Sequence, residues 1–185
     1  MSVAVERLDP PLPGEVVFSA GLIASRVDEL ARQISGDYRG RGRELVLLTV
    51  LKGSAVFLAD LSRRLSVPHR LEFMAISAYR GAATGSSGRI RLLKDIDRPV
   101  RGCDVVIVED IVDTGLTLNY LFKTLRFRGA ETVEVCTLLD RPYRRLIEFQ
   151  PRYIGFTAPD AFVVGYGFDH RQRYRNLPDI HLLSR

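Results

Sequence analysis

The sequence predicts an α/β protein whose core is a mostly parallel sheet flanked by helices. Short apolar runs rich in β-branched residues, such as Leu45–Leu51 and Val105–Val108, are typical of strands buried on both faces. Segments with apolar residues at helical spacing follow these runs. Because strands and helices alternate along all 185 residues, we expect one domain spanning residues 1–185.

The elements are predicted in chain order from periodicity and boundary residues. Ser19 is a candidate N-cap for a first helix that ends near Gly36. The other predicted helices run from about Ser54 to Leu65 and through Leu118–Leu125. The predicted strands are Glu15–Phe18, Leu45–Leu51, His69–Ala78, Arg89–Leu93, Val105–Val108, Glu131–Leu139, Tyr153–Phe156 and Phe162–Tyr166. Residues 1–15 read mainly as a loose arm, and residues 169–175 as a polar tail rich in Arg.

Composition limits the class of protein. The net charge is +5, carried by 24 Arg and 3 Lys, which fits a polyanionic substrate, a nucleic acid, or a general Arg bias with solvated charges. No apolar run approaches the ~20 residues of a membrane span, and Met1–Pro13 lacks signal-peptide features. We therefore expect a cytoplasmic protein with no membrane partner. Cys103 and Cys136 have no metal-binding spacing, and the three His are scattered, which predicts free thiols and no protein-only zinc site.

Three acids follow the apolar run Val105–Val108: Glu109, Asp110 and Asp113, and then Thr114–Thr117 opens a helix. Open parallel sheets bind ligands at the carboxyl ends of their strands, and a helix N-terminus favours an anion. The pattern predicts a phosphate site with carboxylates placed to hold hydroxyls or a metal. Helix capping could explain one or two of the acids, and the segment is not a Walker P-loop.

Two further segments have both a functional and an ordinary interpretation. Lys52 and Gly53 lie between a predicted strand and helix, which fits either an anion site or a common βα turn. Residues 80–88 form a Gly/Ser/Ala/Thr loop with almost no apolar anchors. That composition predicts a flexible lid over about residues 78–90, or a simple long hairpin tip.

Glu109–Thr117 closely resembles the phosphoribosyl-pyrophosphate (PRPP) motif of type I phosphoribosyltransferases. Phe162–Asp169 and Arg173–Pro178 look like the C-terminal signature of the hypoxanthine-guanine phosphoribosyltransferase family. With Leu51–Gly53, the resemblance covers about residues 15–180. It implies a type I phosphoribosyltransferase core, a mostly parallel sheet flanked by helices, and a small hood over the base from the N-terminal segment and about residues 155–185.

The resemblance implies an enzyme that transfers the 5-phosphoribosyl group from PRPP to a 6-oxopurine, hypoxanthine and/or guanine. The products would be IMP or GMP and pyrophosphate, the cofactor Mg²⁺, and the assembly a homodimer or homotetramer. The rival is an RNA-binding regulator on the same fold, similar to the pyrimidine-operon attenuation proteins. The basic pI and Asp140-Arg141 suit the rival, whereas Leu51–Gly53 and Phe162–Asp169 favour the enzyme without a nucleic-acid partner.

The resemblance also implies a role for each matched residue. Asp113 would accept or donate a proton at the purine N7. The 5′-phosphate and ribose would contact Glu109, Asp110, Thr114, Gly115, Leu116 and Thr117. The purine would lie against Arg141, Phe162, Val163 and Asp169, and pyrophosphate against Lys52, Gly53 and Arg175. Glu109, Asp110 and Asp169 would hold Mg²⁺, and Tyr79 would belong to the lid.

The chain departs from the family pattern at two positions. Arg141 stands where the family usually has Lys, and Ala78 where it commonly has Ser. We expect Arg141 to donate one hydrogen bond to the purine O6, unless it points outward and backbone groups read O6 instead. Ala78 removes a hydroxyl that could contact pyrophosphate. The resemblance further implies a cis peptide bond between Leu51 and Lys52.

Overall fold

The computed structural model describes residues 13–79 and 89–183. Three α-helices lie within these residues: α1 (Ala20–Tyr38), α2 (Ala55–Ser62) and α3 (Leu116–Phe127). The strands are β1 (Pro13–Phe18), β2 (Leu45–Val50), β3 (His69–Tyr79), β4 (Arg89–Lys94), β5 (Asp104–Val112), β6 (Thr132–Asp140), β7 (Tyr153–Thr157), β8 (Val163–Val164) and β9 (Ile180–Leu183). A single 3₁₀ turn, Pro142–Arg144, follows β6.

The larger sheet has the strand order β4-β3-β2-β5-β6-β7. All neighbouring pairs are parallel except β3 and β4, which are antiparallel. Leu45 and Leu47 pack into the core that contains α1 and α2, whereas Val46 and Leu48 pack into the core that contains α3. Consecutive residues of β2 are thus buried on opposite faces, which confirms the predicted α/β fold.

Strand β5 is longer than its apolar run predicts. We expected a strand over Val105–Val108 followed by an acidic turn, but β5 continues to Val112. The extension is paired with β6, through Glu109 opposite Thr137 and Val112 opposite Asp140. Glu109 and Asp110 therefore lie in the strand itself, because pairing with a neighbour of equal length outweighs their low strand propensity.

The first helix begins as predicted and ends later. Ser19 is the N-cap of α1, and its hydroxyl accepts a hydrogen bond from the Leu22 N–H at 3.3 Å. The helix continues past Gly36 to Tyr38, because the apolar face of α1 still packs into the core there. Helix α2, in contrast, is shorter than predicted: it ends at Ser62 and not near Leu65.

A second sheet has three antiparallel strands in the order β1-β9-β8. The sequence analysis missed β9, because a short segment such as Ile180–Leu183 becomes a strand only through pairing with a distant partner. The predicted strand Phe162–Tyr166 is reduced to Val163–Val164, since Gly165 and Tyr166 adopt φ values of 98° and 48° and turn the chain.

The predicted lid lies mainly outside the described residues. Its ends at 78–79 and 89–90 belong to β3 and β4, which pair antiparallel. Residues 80–88 and the side chain of Tyr79 lie outside the described part. Among the described residues, no helix is both long and apolar enough to cross a membrane.

Candidate active site

A cavity of about 370 Å³ opens at the carboxyl end of the parallel sheet. Its walls come from the turn after β2, the end of β5 and the residues that lead into α3. Glu109, Asp110, Asp113, Lys52 and Gly53 all line it. The parallel topology makes this convergence necessary, because neighbouring parallel strands end at the same edge.

Two close approaches bring three distant segments together here. A Cβ on Gly53 would lie 1.8 Å from Asp110 Oδ2, and a Cβ on Gly167 would lie 2.1 Å from the Gly53 carbonyl oxygen. The turn after β2 is therefore packed between β5 and the chain after β8. The peptide bond between Leu51 and Lys52 in this turn is cis, which confirms the expectation.

Burial controls the electrostatics of the two acids in β5. Burial, with a smaller contribution from the charge of Asp110, raises the pKa of Glu109 well above its usual value. Burial also raises the pKa of Asp110 to about 6, although the Ile111 N–H and the nearby Arg175 charge act in the opposite direction. Desolvation disfavours the charged carboxylate, and a nearby cation or hydroxyl donor would offset that cost. These carboxyls are therefore suited to contact hydroxyls or a cation.

Asp113 lies beyond β5 and faces two guanidinium groups. Its Oδ2 is 3.7 Å from Nη1 of Arg144 and 4.0 Å from Nη1 of Arg141. Its Oδ1 is buried and has no hydrogen-bond partner within the described residues. A buried oxygen without a partner is uncommon, and here it marks a position where a ligand donor would be favourable.

Arg141 points inward, next to Asp113. Its backbone N–H donates to the Val112 carbonyl at 3.0 Å, and its Nη2 donates to the Ala161 carbonyl at 2.5 Å. Arg141 is only 8% exposed, and its Nε is buried without a partner in the part of the chain that the structure describes. One arm of the guanidinium is thus held by backbone, which leaves the rest of the group facing Asp113.

Residues 113–115 connect β5 to α3, and we call residues 113–117, which include the first two residues of the helix, the phosphate loop after its expected role. Gly115 is the N-cap of α3 and has a φ of 82°, a conformation that side chains other than glycine rarely adopt. The first N–H groups of an α-helix have no intrahelical acceptor. The Asn119 N–H donates to the Gly115 carbonyl at 3.0 Å, and the Leu116 N–H lies 3.5 Å from Thr114 Oγ1. The N–H groups of Thr117 and Leu118, between these two, are therefore the ones best placed to face an anion.

The smaller sheet presents an aromatic ring near the same edge. Phe162 is 57% exposed, and its ring meets that of His170 edge to face, with centroids 5.9 Å apart. Its carbonyl accepts from the Leu183 N–H at 2.9 Å, and Val163 pairs with Leu182. The backbone of this segment is held by β9, while one ring remains available for a flat ligand.

The chain from Asp169 to Arg175, the tail turn, packs near the turn after β2. Asp169 and Arg175 form an ion pair at 2.6 Å, and Arg175 also donates to the Gly167 carbonyl at 2.6 Å. Lys52 Nζ donates to Gln172 Oε1 at 3.2 Å. The sequence analysis did not assign Gln172 or Arg144 to the site, because neither is signalled by a local pattern.

Two carboxylates near the cavity could hold a metal ion together with a substrate. Within the described residues no group of three His, Cys, Asp or Glu side chains could hold a metal. Asp110 and Asp169 are nevertheless close enough that the charge of Asp169 raises the pKa of Asp110. Mg²⁺ usually takes one or two carboxylates together with substrate phosphates, and these two oxygen donors match that requirement.

Comparison with known proteins places this geometry in context. Residues 16–171 match the family model of the phosphoribosyl transferase domain. The hypoxanthine-guanine phosphoribosyltransferase of Mycobacterium tuberculosis H37Rv is 47% identical over 179 residues, covering 93% of this chain and 88% of the relative. The hypoxanthine phosphoribosyltransferase of Salmonella typhimurium is 45% identical over 164 residues, covering 89% and 92%.

Solved structures show the same similarity. The hypoxanthine-guanine phosphoribosyltransferase of Bacillus anthracis, solved with a HEPES molecule in its active site, superposes with a TM-score of 0.87 at 41% identity, covering 94% of this chain and 100% of that one. A Trypanosoma cruzi hypoxanthine phosphoribosyl transferase, from work on its C-terminal region, oligomeric state and activity, gives a TM-score of 0.87 at 39% identity, covering 97% and 94%.

Proposed function

The chain belongs to the phosphoribosyltransferase family, in its hypoxanthine-guanine branch, and from this premise we propose that it transfers the 5-phosphoribosyl group of PRPP to a 6-oxopurine in purine salvage. The acceptor is hypoxanthine, guanine or both, and the products are the nucleoside monophosphate and pyrophosphate. The relatives and solved structures named above are all transferases of this kind, and none of them supports the RNA-binding alternative.

One observation carries the assignment of the base site: Asp113 and Arg141 approach to 4.0 Å, and the buried Oδ1 of Asp113 and Nε of Arg141 both lack a hydrogen-bond partner among the described residues. A 6-oxopurine with a proton on N7 offers a donor to a carboxylate and the acceptor O6 to a guanidinium. Asp113 thus takes or gives the proton at N7, and Arg141 donates to O6. Phe162, with its exposed ring, stacks on the base, and Val163 contributes backbone groups to the base edge.

The other proposed roles are those that the resemblance implies. Within the phosphate loop, Thr114, Gly115, Leu116 and Thr117 receive the 5′-phosphate at the start of α3. Glu109 and Asp110 face the ribose hydroxyls, where carboxylates favour the positive charge that develops at C1 as pyrophosphate leaves. Lys52, Gly53 and Arg175 receive the pyrophosphate.

Magnesium is the proposed cofactor, held by Asp110 and Asp169 with Glu109 nearby. When bound, Mg²⁺ neutralises charge that grows on the pyrophosphate oxygens. Asp169 also forms an ion pair with Arg175, which places the proposed metal ligand beside a residue proposed to receive the pyrophosphate.

Arg141 explains a preference for 6-oxopurines. Adenine carries an amino donor at C6, which would face the guanidinium donors of Arg141 and leave both groups without an acceptor. We therefore expect hypoxanthine or guanine to be preferred over adenine by at least ~10²-fold in kcat/KM. The backbone contact of Nη2 with Ala161 holds the guanidinium in this orientation.

Initial rates with PRPP and Mg²⁺ test the proposal directly. Hypoxanthine, guanine, xanthine and adenine would be supplied in turn, and pyrophosphate release and nucleotide formation would both be measured. We expect stoichiometric IMP or GMP with the first two bases. Binding of RNA or uracil-related nucleotides without any turnover of hypoxanthine would reject the proposal in favour of the regulator.

The assembly and location extend the proposal. We propose a homodimer or homotetramer. The work on the T. cruzi relative likewise concerned the oligomeric state of that enzyme. Light scattering after size-exclusion chromatography tests it, and a monomer at micromolar concentration contradicts it. A cytoplasmic location stays a prediction from composition.

A further inference from the structure

We propose that Arg145 is a positioning residue that holds the phosphate loop and Asp113 in their working geometry; this inference rests on the proposed function. Arg145 follows the 3₁₀ turn after β6 and does not itself line the cavity. Its Nη1 donates to the main-chain carbonyl of Asp113 at 2.7 Å. Its Nη2 donates to Asp140 Oδ1 at the end of β6.

The ion pair between Arg145 and Asp140 is buried, with only 9% and 7% of the two side chains exposed. Asp140 is in turn held by the sheet, because it pairs with Val112 in β5 and its carbonyl accepts from the Ala158 N–H at 2.8 Å. The guanidinium is therefore fixed at one end to the rigid sheet. Its other end holds the peptide group that follows Asp113.

Two neighbouring residues support the same loop. The Leu146 N–H donates to the Thr114 carbonyl at 3.0 Å. A Cβ on Gly115 would lie 2.8 Å from Ile147 Cγ1 and 3.3 Å from Arg145 Cδ. Three consecutive residues, Arg145–Ile147, thus contact three consecutive residues of the phosphate loop, and we call Arg145–Ile147 the brace.

The brace is important because the phosphate loop must orient both the Asp113 carboxylate and its own N–H groups toward the same substrate. The carbonyl of Asp113 sets the peptide plane, and so both the direction of the Asp113 carboxylate and the direction of the N–H groups toward the 5′-phosphate. Displacing reacting groups by about 1 Å can cost ~10²-fold in rate. Arg141, on the same segment, is linked to the loop through its own N–H and Val112, so the base side and the phosphate side share one support.

The test separates positioning from simple stability. Arg145→Met removes both contacts but leaves Asp140 buried without its partner, which destabilises the fold. The double variant Arg145→Met with Asp140→Leu removes both charges and restores apolar packing. We expect the double variant to recover most of the thermal stability of the wild type. Its KM for PRPP should nevertheless stay above the wild-type value, and its kcat/KM should stay ~10²-fold below it.

Two further variants sharpen the result. Arg145→Lys keeps the charge but not the two-armed fork, so we expect a loss of ~10-fold in kcat/KM with near-normal stability. Arg70→Met is the matched control, because Arg70 forms a pair of similar burial with Glu72 (side chains 11% and 2% exposed) away from the cavity. It should lower stability without changing the KM for PRPP. Wild-type kcat/KM in the double variant would overturn the proposal.

Hydrogen exchange without any ligand keeps this inference independent of the catalytic proposal. If the wild-type protein fails to turn over any base, the proposed function fails, but the brace can still be tested. We expect the amides of residues 113–118 to exchange faster in the double variant than in wild type, with α1 unchanged. Equal exchange in the two proteins would show that Arg145 does not hold the loop.

Discussion

The two ends of the parallel sheet differ in whether the protein supplies partners for their carboxylates. At the amino end, Asp104 is 1% exposed and accepts from Arg43 at 3.2 Å and from Thr132 at 2.6 Å. Nearby, Glu72 is 2% exposed and accepts from Arg70 and from the N–H groups of residues 97 and 98. Each of these carboxylates has protein partners.

At the carboxyl end, Glu109 is also buried, whereas the side chain of Asp113 is 38% exposed. Glu109 is 8% exposed, and burial, with a smaller contribution from the charge of Asp110, raises its pKa. Asp113 Oδ1 has no partner in the described residues. Burial alone therefore does not distinguish structural from functional carboxylates. What distinguishes them is whether the protein itself supplies the partner.

The largest expected effect comes from the carboxyl end. Asp113→Asn should lower kcat by ~10²–10⁴-fold, because an amide cannot take up the purine proton. Folding and PRPP affinity should stay close to wild type, as measured by thermal unfolding and calorimetric titration.

Asp160→Asn is the matched control for Asp113. Asp160 is the other carboxylate partner of Arg144, at 2.6 Å, and its side chain is 65% exposed. Its loss should leave kcat unchanged. If Asp113→Asn turns over at the wild-type rate, Asp113 has no role in proton transfer.

The next effect belongs to the amino end and concerns stability alone. Arg70→Met should lower the free energy of unfolding by about 2–4 kcal/mol, because Glu72 then keeps a buried charge without its cation. Kinetic constants of the folded enzyme should not change. A shifted KM for PRPP would contradict the division of the sheet into a structural and a functional end.

Arg141, also at the carboxyl end, is expected to set the preference for hypoxanthine over adenine. Arg141→Ala should reduce the preference for hypoxanthine over adenine by ~10-fold or more, since the donors that reject the adenine amino group are gone. Arg141→Lys should retain the preference. An Arg141→Ala enzyme that still prefers hypoxanthine to the wild-type extent would mean that backbone groups alone read O6.

The smallest effect is a gain in stability. Glu109→Gln removes a carboxyl that burial disfavours in its charged form, so the ligand-free protein should be more stable at pH 8. An acid with a raised folded pKa destabilises the fold as pH rises above its unfolded value, so the gain should shrink toward pH 4. Urea unfolding at both pH values measures it; a loss of stability at pH 8 would show that the carboxylate has a stabilising partner.

The sequence by itself determined the α/β class, the family and the order of the elements from β1 to β8. The apolar runs that became β2 and β6, the Ser19 N-cap and the Glu109–Thr117 motif are local features. They depend on spacing and residue type within a few positions, and such local preferences survive in the folded chain. The roles of the individual site residues remain predictions that the experiments above address.

Tertiary structure alone decided which groups meet and which lack partners. The extension of β5 through Glu109 and Asp110, the strand β9, and the packing of Gly53 between Asp110 and Gly167 all depend on distant segments. The contact of Arg145 with the Asp113 carbonyl joins residues 32 positions apart. Desolvation and hydrogen-bond partnership are properties of the space around a side chain, and that space is built by residues remote in sequence.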